Sequence, residues 1–341
     1  MSGMTQPQTR AGPRATARIP TECVSWRGHQ NLGDEMIFAA QEAMFGDALD
    51  LGQYIAAPEA VLVGGGTFVP KFPEHPDLVA LSRRLPTALV GTGIGDPSFW
   101  GTDYIPDWLE ILRNARFIGV RGPLSKERLL SWGVPGDRVE WVGDPALYFA
   151  HDEAPVPHVQ GELAVNLGIT YGNLYGSDEA QVHAAVVRCL KALVRDGWNV
   201  TLVCAWPEDD VALERIEAEV PVKAVEHWHE DHAGALESVG RFHVLVSEKL
   251  HVGVVAACRA VPFVALGYRS KVFDFCRSVG WERFCVSTER LDPDRVLELI
   301  ATLANARDAY ATRLRRGVAA VRARLLAAVP RAVAALAGET R

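Results

Sequence analysis

Short apolar runs recur along this sequence, and most of them end in glycine or in a polar cluster. Segments of helical periodicity separate the runs, as at residues 35–45 and 123–132. Continuous apolar strands that alternate with helices are typical of a parallel sheet covered on both faces, so we predict an α/β fold. The main predicted strands are residues 22–26, 60–63, 87–90, 117–120 and 139–142, followed by 163–167, 199–205, 222–225, 243–246 and 263–266.

The polar stretch of residues 151–161 divides this pattern into two halves. It carries two prolines and is typical of an interdomain linker. The predicted units are a disordered leader at residues 1–19, a Rossmann-like domain at 20–155, a second Rossmann-like domain at 162–290, and C-terminal helices at 291–341 that pack back on the first domain. Because open parallel sheets bind ligands at the carboxyl ends of their strands, we expect the site in the cleft between the domains.

Composition and charge limit the classes of function. The 341 residues are 48% hydrophobic, enough for two cores, and the net charge of −7 disfavours a wholesale nucleic-acid binder. No apolar run reaches the roughly 20 residues that span a bilayer. The six cysteines form no C-x-x-C pair, so we expect reduced thiols and a cytoplasmic protein. A homo-oligomer stays open.

Three loops that follow predicted strands carry candidate binding residues. The Asn-Leu-Gly-Asp-Glu segment of residues 31–35 opens a helix, whose backbone N–H groups could face an anion with Asp34 near the reacting group. Alternatively, Asn31 only caps the helix. The glycine clusters at residues 64–66 and 91–95 either admit a ligand close to the backbone or form tight turns. Neither cluster matches a dinucleotide-binding or Walker motif.

Charged residues follow three further strands. Arg121 offers a planar fork to a carboxylate or phosphate, or pairs with a neighbouring acid such as Asp144. As a rim arginine, it should be replaceable without loss of the fold. Lys249 and His251 can hold an anion and transfer a proton, or are a solvated lysine and a structural histidine at a helix start. The Tyr-Arg-Ser-Lys sequence of residues 268–271 adds cations to the same rim.

One histidine cluster occupies residues 227–232. It has three imidazoles but no standard zinc spacing, so we expect no metal there. The more economical interpretation is a polar loop that caps the next helix through Asp231. Its position upstream of the Lys249 strand leaves a substrate contact open.

Taken in order, these segments resemble the polysaccharide pyruvyl transferase family. Each motif is weak alone, whereas the order and spacing of the series are specific and span about residues 23–285, most of the chain. The matching segments are residues 31–35, 64–66, 91–93, 120–125, 144–145, 249–251, 261–262 and 268–271. The resemblance implies two Rossmann-like domains facing a cleft, in a glycosyltransferase-B-like arrangement.

The resemblance also implies a reaction. Phosphoenolpyruvate would be the donor, with no other cofactor, and a sugar-containing diol would be the acceptor, giving a cyclic pyruvate ketal. We expect His251 to act as catalytic acid and Asp34 as base. The expected donor or anion contacts are Arg121, Lys249, Lys271, Ser247, Gly65 and Gly66. The expected acceptor contacts are Asn31, Thr92 and Tyr268.

The sequence departs from the family's usual pattern at one position, and two other functions are compatible with the same fold. The family usually carries Arg-Leu-His where residues 249–251 are Lys-Leu-His, and lysine keeps the charge but loses the bidentate fork. A nucleotide-sugar glycosyltransferase would share the two-domain plan and use an acid such as Glu248 for the ribose hydroxyls. A non-catalytic carbohydrate- or nucleotide-binding protein would keep the fold without the chemistry.

Overall fold

The computed structural model describes residues 17–71, 73, 75–150, 157–176 and 178–338. Its strands form two six-stranded sheets in which every neighbouring pair is parallel. The first sheet contains β1 (Ile19–Val24), β2 (Leu49–Gly52), β3 (Ala60–Val63), β4 (Thr87–Thr92), β5 (Phe117–Val120) and β6 (Val139–Trp141). The second contains β7 (Glu162–Asn166), β8 (Asn199–Cys204), β9 (Ala224–His227), β10 (Val244–Ser247), β11 (Phe263–Gly267) and β12 (Cys285–Ser287). The strand orders are β2-β1-β3-β4-β5-β6 and β12-β11-β10-β7-β8-β9.

Helices connect the strands and cover both sheets. Those of the N-terminal half are α1 (Leu32–Phe45), α2 (Leu78–Arg84), α3 (Pro97–Trp100), α4 (Ile105–Asn114) and α5 (Pro123–Ser131). Those of the C-terminal half are α6 (Glu179–Arg195), α7 (Asp210–Glu217), α8 (His232–Ser238), α9 (Leu250–Cys258), α10 (Ser270–Ser278), α11 (Pro293–Asn305) and α12 (Arg307–Leu336). Such crossover helices are what parallel neighbouring strands require.

The predicted α/β class with two parallel sheets is confirmed. Two edge strands, β2 and β12, were missed because they have only four and three residues and are mostly half-buried, which leaves a weak apolar pattern. The predicted leader lies largely outside the described residues, as does the 151–156 part of the predicted linker. Ile19, assigned to that leader, begins β1. The division into domains stays a prediction.

The two halves are packed together by helices that bury residues on both sides. The first turns of α1 enter the core of the C-terminal sheet through Leu32 and Met36. Near its start, α12 packs Leu314 in that same core, and further along it packs Leu325 against the N-terminal sheet. The C-terminal helix therefore contacts both halves.

A buried carboxylate on helix α10 of the C-terminal half is hydrogen-bonded to helix α5 of the N-terminal half. Asp274 is buried and accepts hydrogen bonds from the Leu124 backbone N–H at 2.8 Å and the Ser125 hydroxyl at 2.5 Å. One carboxylate of the C-terminal half thus caps a helix of the N-terminal half, which holds the two walls of the cleft in a defined orientation.

The structure also shows the state of the cysteines and the character of the helices. All six cysteines are free thiols, and five of them are buried. None of the helices within the described ranges is both long and apolar enough to cross a membrane.

Candidate functional site

The carboxyl edges of the two sheets face each other across a cleft of about 330 Å³. This is where parallel sheets place their ligands, since the loops that follow the strands converge there. The N-terminal half contributes the sequence-predicted residues Asn31, Asp34, Gly66 and Arg121. The C-terminal half contributes Lys249, His251, Tyr268 and Lys271.

A buried ion-pair network joins strand ends from both halves. Arg121 and Asp144 are 1% and 0% exposed, and Nε of the arginine lies 3.2 Å from Oδ2 of the aspartate. The same Oδ2 lies 3.5 Å from Nε2 of His251. Burial acts to raise the pKa of Asp144, but the charges of His251 and Arg121 outweigh it and the pKa is lowered. The lowered pKa favours the carboxylate form of Asp144, which lies beside the imidazole at ion-pair distance.

Both terminal nitrogens of Arg121 also make a hydrogen bond. Nη1 donates to the Thr67 hydroxyl at 3.2 Å, and Nη2 donates to the carbonyl of Gly65. Arg121 is part of the cleft lining although it is buried. Its salt bridge to Asp144, which the sequence analysis gave as the alternative to a ligand contact, is present. The expected position at the rim is wrong, because the side chain is 1% exposed and the guanidinium lies in the interior. Its replacement is therefore expected to cost stability.

His251 sits directly over the start of helix α1. A Cβ atom built on Gly33 would lie 1.8 Å from Nδ1 of His251, so only glycine leaves room for the ring. Asp34, the next residue, faces the same imidazole. Burial raises the pKa of Asp34, although the charges of His251, Lys271 and Arg121 act to lower it. An imidazole from one half and a carboxyl of raised pKa from the other therefore lie next to each other in the cleft.

Lys249 is anchored rather than solvated. Its Nζ donates to the Ile169 carbonyl at 2.7 Å and lies 3.1 Å from Oδ1 of the buried Asp209. Burial acts to lower the pKa of the lysine, but the Asp209 charge offsets this and the pKa is raised. The ammonium group is thus held charged at the cleft, 5.6 Å from the centre of the Trp206 ring.

The residues after β11 form a cationic patch around one tyrosine. Nζ of Lys271 lies 5.2 Å from the centre of the Tyr268 ring, and the Arg269 guanidinium lies 5.0 Å from it. Burial acts to raise the pKa of Tyr268, yet the charges of Lys271, Lys249 and Arg269 lower it. Burial also lowers the pKa of Lys271, and Arg269 and Lys249 add to that effect. This concentration of positive charge favours an anionic ligand.

Helix α1 contributes less to anion binding than its sequence suggested. Asn31 is its N-cap, and its side chain accepts the Gly33 N–H at 3.1 Å. The Leu32 N–H donates to the carbonyl of Ala205 in the other half at 3.0 Å. Two of the first N–H groups are therefore occupied, and the capping alternative describes this helix start well.

Three predicted contacts lie outside the cleft lining. Thr92 is buried, and its hydroxyl donates to the carbonyls of Val63 and Gly64, so it ties strand ends together and is not placed to touch an acceptor. The hydroxyl of buried Ser247 donates to the Lys249 carbonyl at 2.6 Å. Gly65 serves through its carbonyl, as the acceptor for Arg121. All three residues stabilise the strand ends and loops that carry the site, without lining the cleft.

The cleft also has lining residues that the sequence analysis did not select. Trp26 and Trp206 follow strands β1 and β8, so their strand-end positions were a usable signal. Lys71, Asp96 and Trp100 lie on long loops or a short helix, where no local pattern marks them. The indole N–H of Trp206 donates to the His29 carbonyl at 3.1 Å, which closes one end of the cleft between the halves.

The close approach of His251 to Gly33 should make this position intolerant of any side chain. Gly33→Ala should push the imidazole from its place and lower turnover about 10²-fold, the scale of a misplacement near 1 Å. Steady-state kinetics would measure this loss. Gly136→Ala is the matched control, because its Cβ would meet its nearest neighbour at an ordinary 3.4 Å. Equal turnover in the two variants would contradict a positioned, working His251.

The fold is similar to that of several solved structures. Anabaena HepE in complex with UDP and glucose gives a TM-score of 0.61 at 8% identity, over 95% of this chain and 100% of that one. A Listeria monocytogenes protein assigned as a UDP-N-acetylglucosamine 2-epimerase gives 0.58 at 11%, over 92% and 96%. S. aureus MnaA with UDP gives 0.52 at 11%, over 88% and 91%. At such identities the likeness shows the fold alone, a glycosyltransferase-B-like pair of α/β units.

Sequence comparison identifies the family. Comparison with the curated proteins gives no match. The family model described as polysaccharide pyruvyl transferase matches residues 31–270, which run from the N-cap of α1 to the first residue of α10. This interval contains Asp34, Arg121, Asp144, Lys249 and His251. The chain belongs to the polysaccharide pyruvyl transferase family.

Proposed function

We propose that the protein transfers a pyruvate group from phosphoenolpyruvate to a hydroxylated, sugar-containing acceptor and forms a ketal. The observation that carries this proposal is the pairing, in one cleft, of a cationic patch with an acid–base pair. The patch comprises Lys249, Arg269 and Lys271, and the pair comprises His251 and Asp34. A small donor with a phosphate and a carboxylate needs the first, and proton transfer needs the second.

The charge of the patch supports an anionic donor. Arg269 gives its hydrogen bonds to the Asn173 and Thr170 carbonyls, which are neutral partners, so its charge adds to the field of the cleft. Lys271 lies beside it with a lowered pKa. A bound carboxylate or phosphate would offset the repulsion between the positive charges of Arg269 and Lys271. Loss of water from the cleft would strengthen the attraction between these cations and the bound anion.

His251 and Asp34 divide the proton transfers in this mechanism. His251 protonates the methylene carbon of phosphoenolpyruvate, which makes C2 electrophilic, while Asp144 stabilises the charged imidazole. An acceptor hydroxyl adds to C2 and loses its proton to Asp34. A second hydroxyl then replaces the phosphate at C2 and its proton leaves with the phosphate, giving the ketal and hydrogen phosphate. The proton held by Asp34 returns to His251, so the cycle releases no net proton.

A nucleotide-sugar glycosyltransferase is the second candidate, favoured by the UDP bound in structures of similar fold. Its expected ribose contact was Glu248. This residue is buried, accepts the Gly168 N–H at 2.9 Å and borders a separate small cavity. Burial raises the pKa of Glu248 to about 7. A carboxyl placed in this way supports the strand end from behind, which weakens the case for a nucleotide-sugar donor.

Phosphate release from phosphoenolpyruvate across a panel of sugar diols tests the proposed function. We expect acceptor-dependent release, and thermal stabilisation by phosphoenolpyruvate but not by UDP-sugars. Lys271→Met should weaken donor affinity about 10- to 100-fold, the 1.5–3 kcal/mol of a charged hydrogen bond. Lys191→Met is the control, since Lys191 pairs with Glu219 on the exposed surface. Stabilisation by UDP-sugars alone, with no phosphate released, would replace this function by the second candidate.

A further inference from the structure

Three side chains with metal-ligating atoms converge at the carboxyl edge of the second sheet, beside the cleft. Cys204 ends strand β8 and His227 ends strand β9, and the two are direct partners in the parallel register. His229 lies two residues further along the chain. One ligand atom from each of the three side chains lies within 4.8 Å of the others. In the described part of the chain, this is the one such group of three.

The arrangement is close to what a tetrahedral ion requires. With metal–sulfur bonds near 2.3 Å and metal–nitrogen bonds near 2.0–2.1 Å, the ligand atoms of a zinc site lie about 3.4–3.6 Å apart. A contraction of about 1 Å, within the reach of side-chain rotation, would bring the three atoms together. The rings of His227 and His229 are nearly perpendicular, at 89° with centroids 5.6 Å apart, so the two rings do not stack.

The hydrogen bonding around the histidines leaves room for a ligand. Both ring nitrogens of His229 are buried from solvent, and neither has a hydrogen-bond partner among the described residues. Such orphaned buried groups are uncommon and need an explanation.

A carboxylate supports the second histidine. Nε2 of His227 lies 3.1 Å from Oδ1 of Asp210. With that contact kept, Nδ1 is the nitrogen that would bind the ion. A histidine held in this way by a carboxylate is typical of metal ligands, because the partner sets the tautomer and the ring orientation. Asp210 is also a neighbour of the Cys204 thiol.

We propose that Cys204, His227 and His229 form a binding site for Zn²⁺ or a similar divalent transition metal, with Asp210 as the supporting carboxylate. One thiolate and two imidazoles are a ligand set that suits borderline metals and not Mg²⁺ or Ca²⁺. On binding, the thiol proton is released to solvent, and the hydrogen bond from Sγ to the Trp206 carbonyl, 3.0 Å long, gives way to the metal–sulfur bond.

The site would connect the metal to the cleft wall. Residues 204–210 run from the proposed ligand Cys204 to its supporting Asp210, and between them lie Trp206, which lines the cleft, and Asp209, which pairs with Lys249. An ion that fixes both ends of this segment would hold the indole and the lysine partner in place. The role is that of an anchor and does not depend on the proposed reaction.

Metal titration of the full chain, stripped with a chelator, tests the proposal. We expect one Zn²⁺ per chain, and with Co²⁺ an absorption band from sulfur-to-metal charge transfer. Cys204→Ala should abolish that band and weaken Zn²⁺ binding at least tenfold. Cys189→Ala is the matched control, because Cys189 is also buried with its thiol on a backbone carbonyl, that of Pro293 at 3.3 Å. It should leave both measurements unchanged.

A second variant guards against a folding defect in the first. His229→Ala removes a ring whose nitrogens have no hydrogen-bond partner among the described residues, so the variant should fold, and it should also weaken Zn²⁺ binding at least tenfold. Absence of bound Zn²⁺ in the stripped and reloaded protein would overturn the proposal. Zn²⁺ affinity unchanged by both Cys204→Ala and His229→Ala would overturn it equally.

Discussion

Arg121→Ala is expected to lower the free energy of unfolding by about 3–5 kcal/mol, the cost of breaking a buried ion pair from one side. The substitution leaves Asp144 in the interior with His251 as its remaining ion-pair partner among the described residues. It also removes the donors to Gly65 and Thr67, which hold the ends of the first sheet. Denaturant unfolding monitored by circular dichroism measures the loss.

An exposed pair of good geometry provides the control. Arg331 binds Glu140 through two hydrogen bonds of 2.7 and 2.8 Å, but both side chains are well exposed. Arg331→Ala should therefore cost no more than about 1 kcal/mol. Equal losses in the two variants would contradict a structural role for the buried pair. If Arg121→Ala also weakens phosphoenolpyruvate binding, the arginine serves the donor as well as the fold.

His251→Gln is expected to lower turnover about 10²- to 10⁴-fold, the usual contribution of general acid–base catalysis. Glutamine keeps a hydrogen-bonding side chain of similar reach but cannot deliver a proton near neutral pH. Donor affinity should change only modestly, because Lys249, Arg269 and Lys271 remain in the cleft. Single-turnover kinetics with a separate binding measurement divide the two effects.

His158→Gln is the matched control for this variant. His158 precedes strand β7, at the edge of the second sheet opposite the strand ends that form the cleft, and its ring stacks on that of His243, so its replacement should leave turnover unchanged. Near-normal turnover in His251→Gln would place the acid elsewhere. Asp34 would then be the next residue to replace, since its carboxyl has a raised pKa and faces the same cleft.

The sequence alone determined most of the strands and the neighbourhood of the site. Apolar runs such as residues 117–120 and 263–266 predict buried parallel strands, because a strand covered on both faces needs apolar side chains at every position. Parallel connectivity then brings the strand ends to one edge, which is why Arg121, Lys249 and His251 were expected near one another. These inferences need only local pattern and the direction of the chain.

Only the tertiary structure decided what each of those residues does. The ion pair of Arg121 with Asp144, the close packing of His251 on Gly33, and the pairing of Cys204 with His227 all join distant parts of the sequence. Such contacts depend on how the halves dock and on strand register, neither of which leaves a periodic signal. Burial then sets whether a charge is free to meet a ligand or is already compensated, and burial is a property of the packed fold.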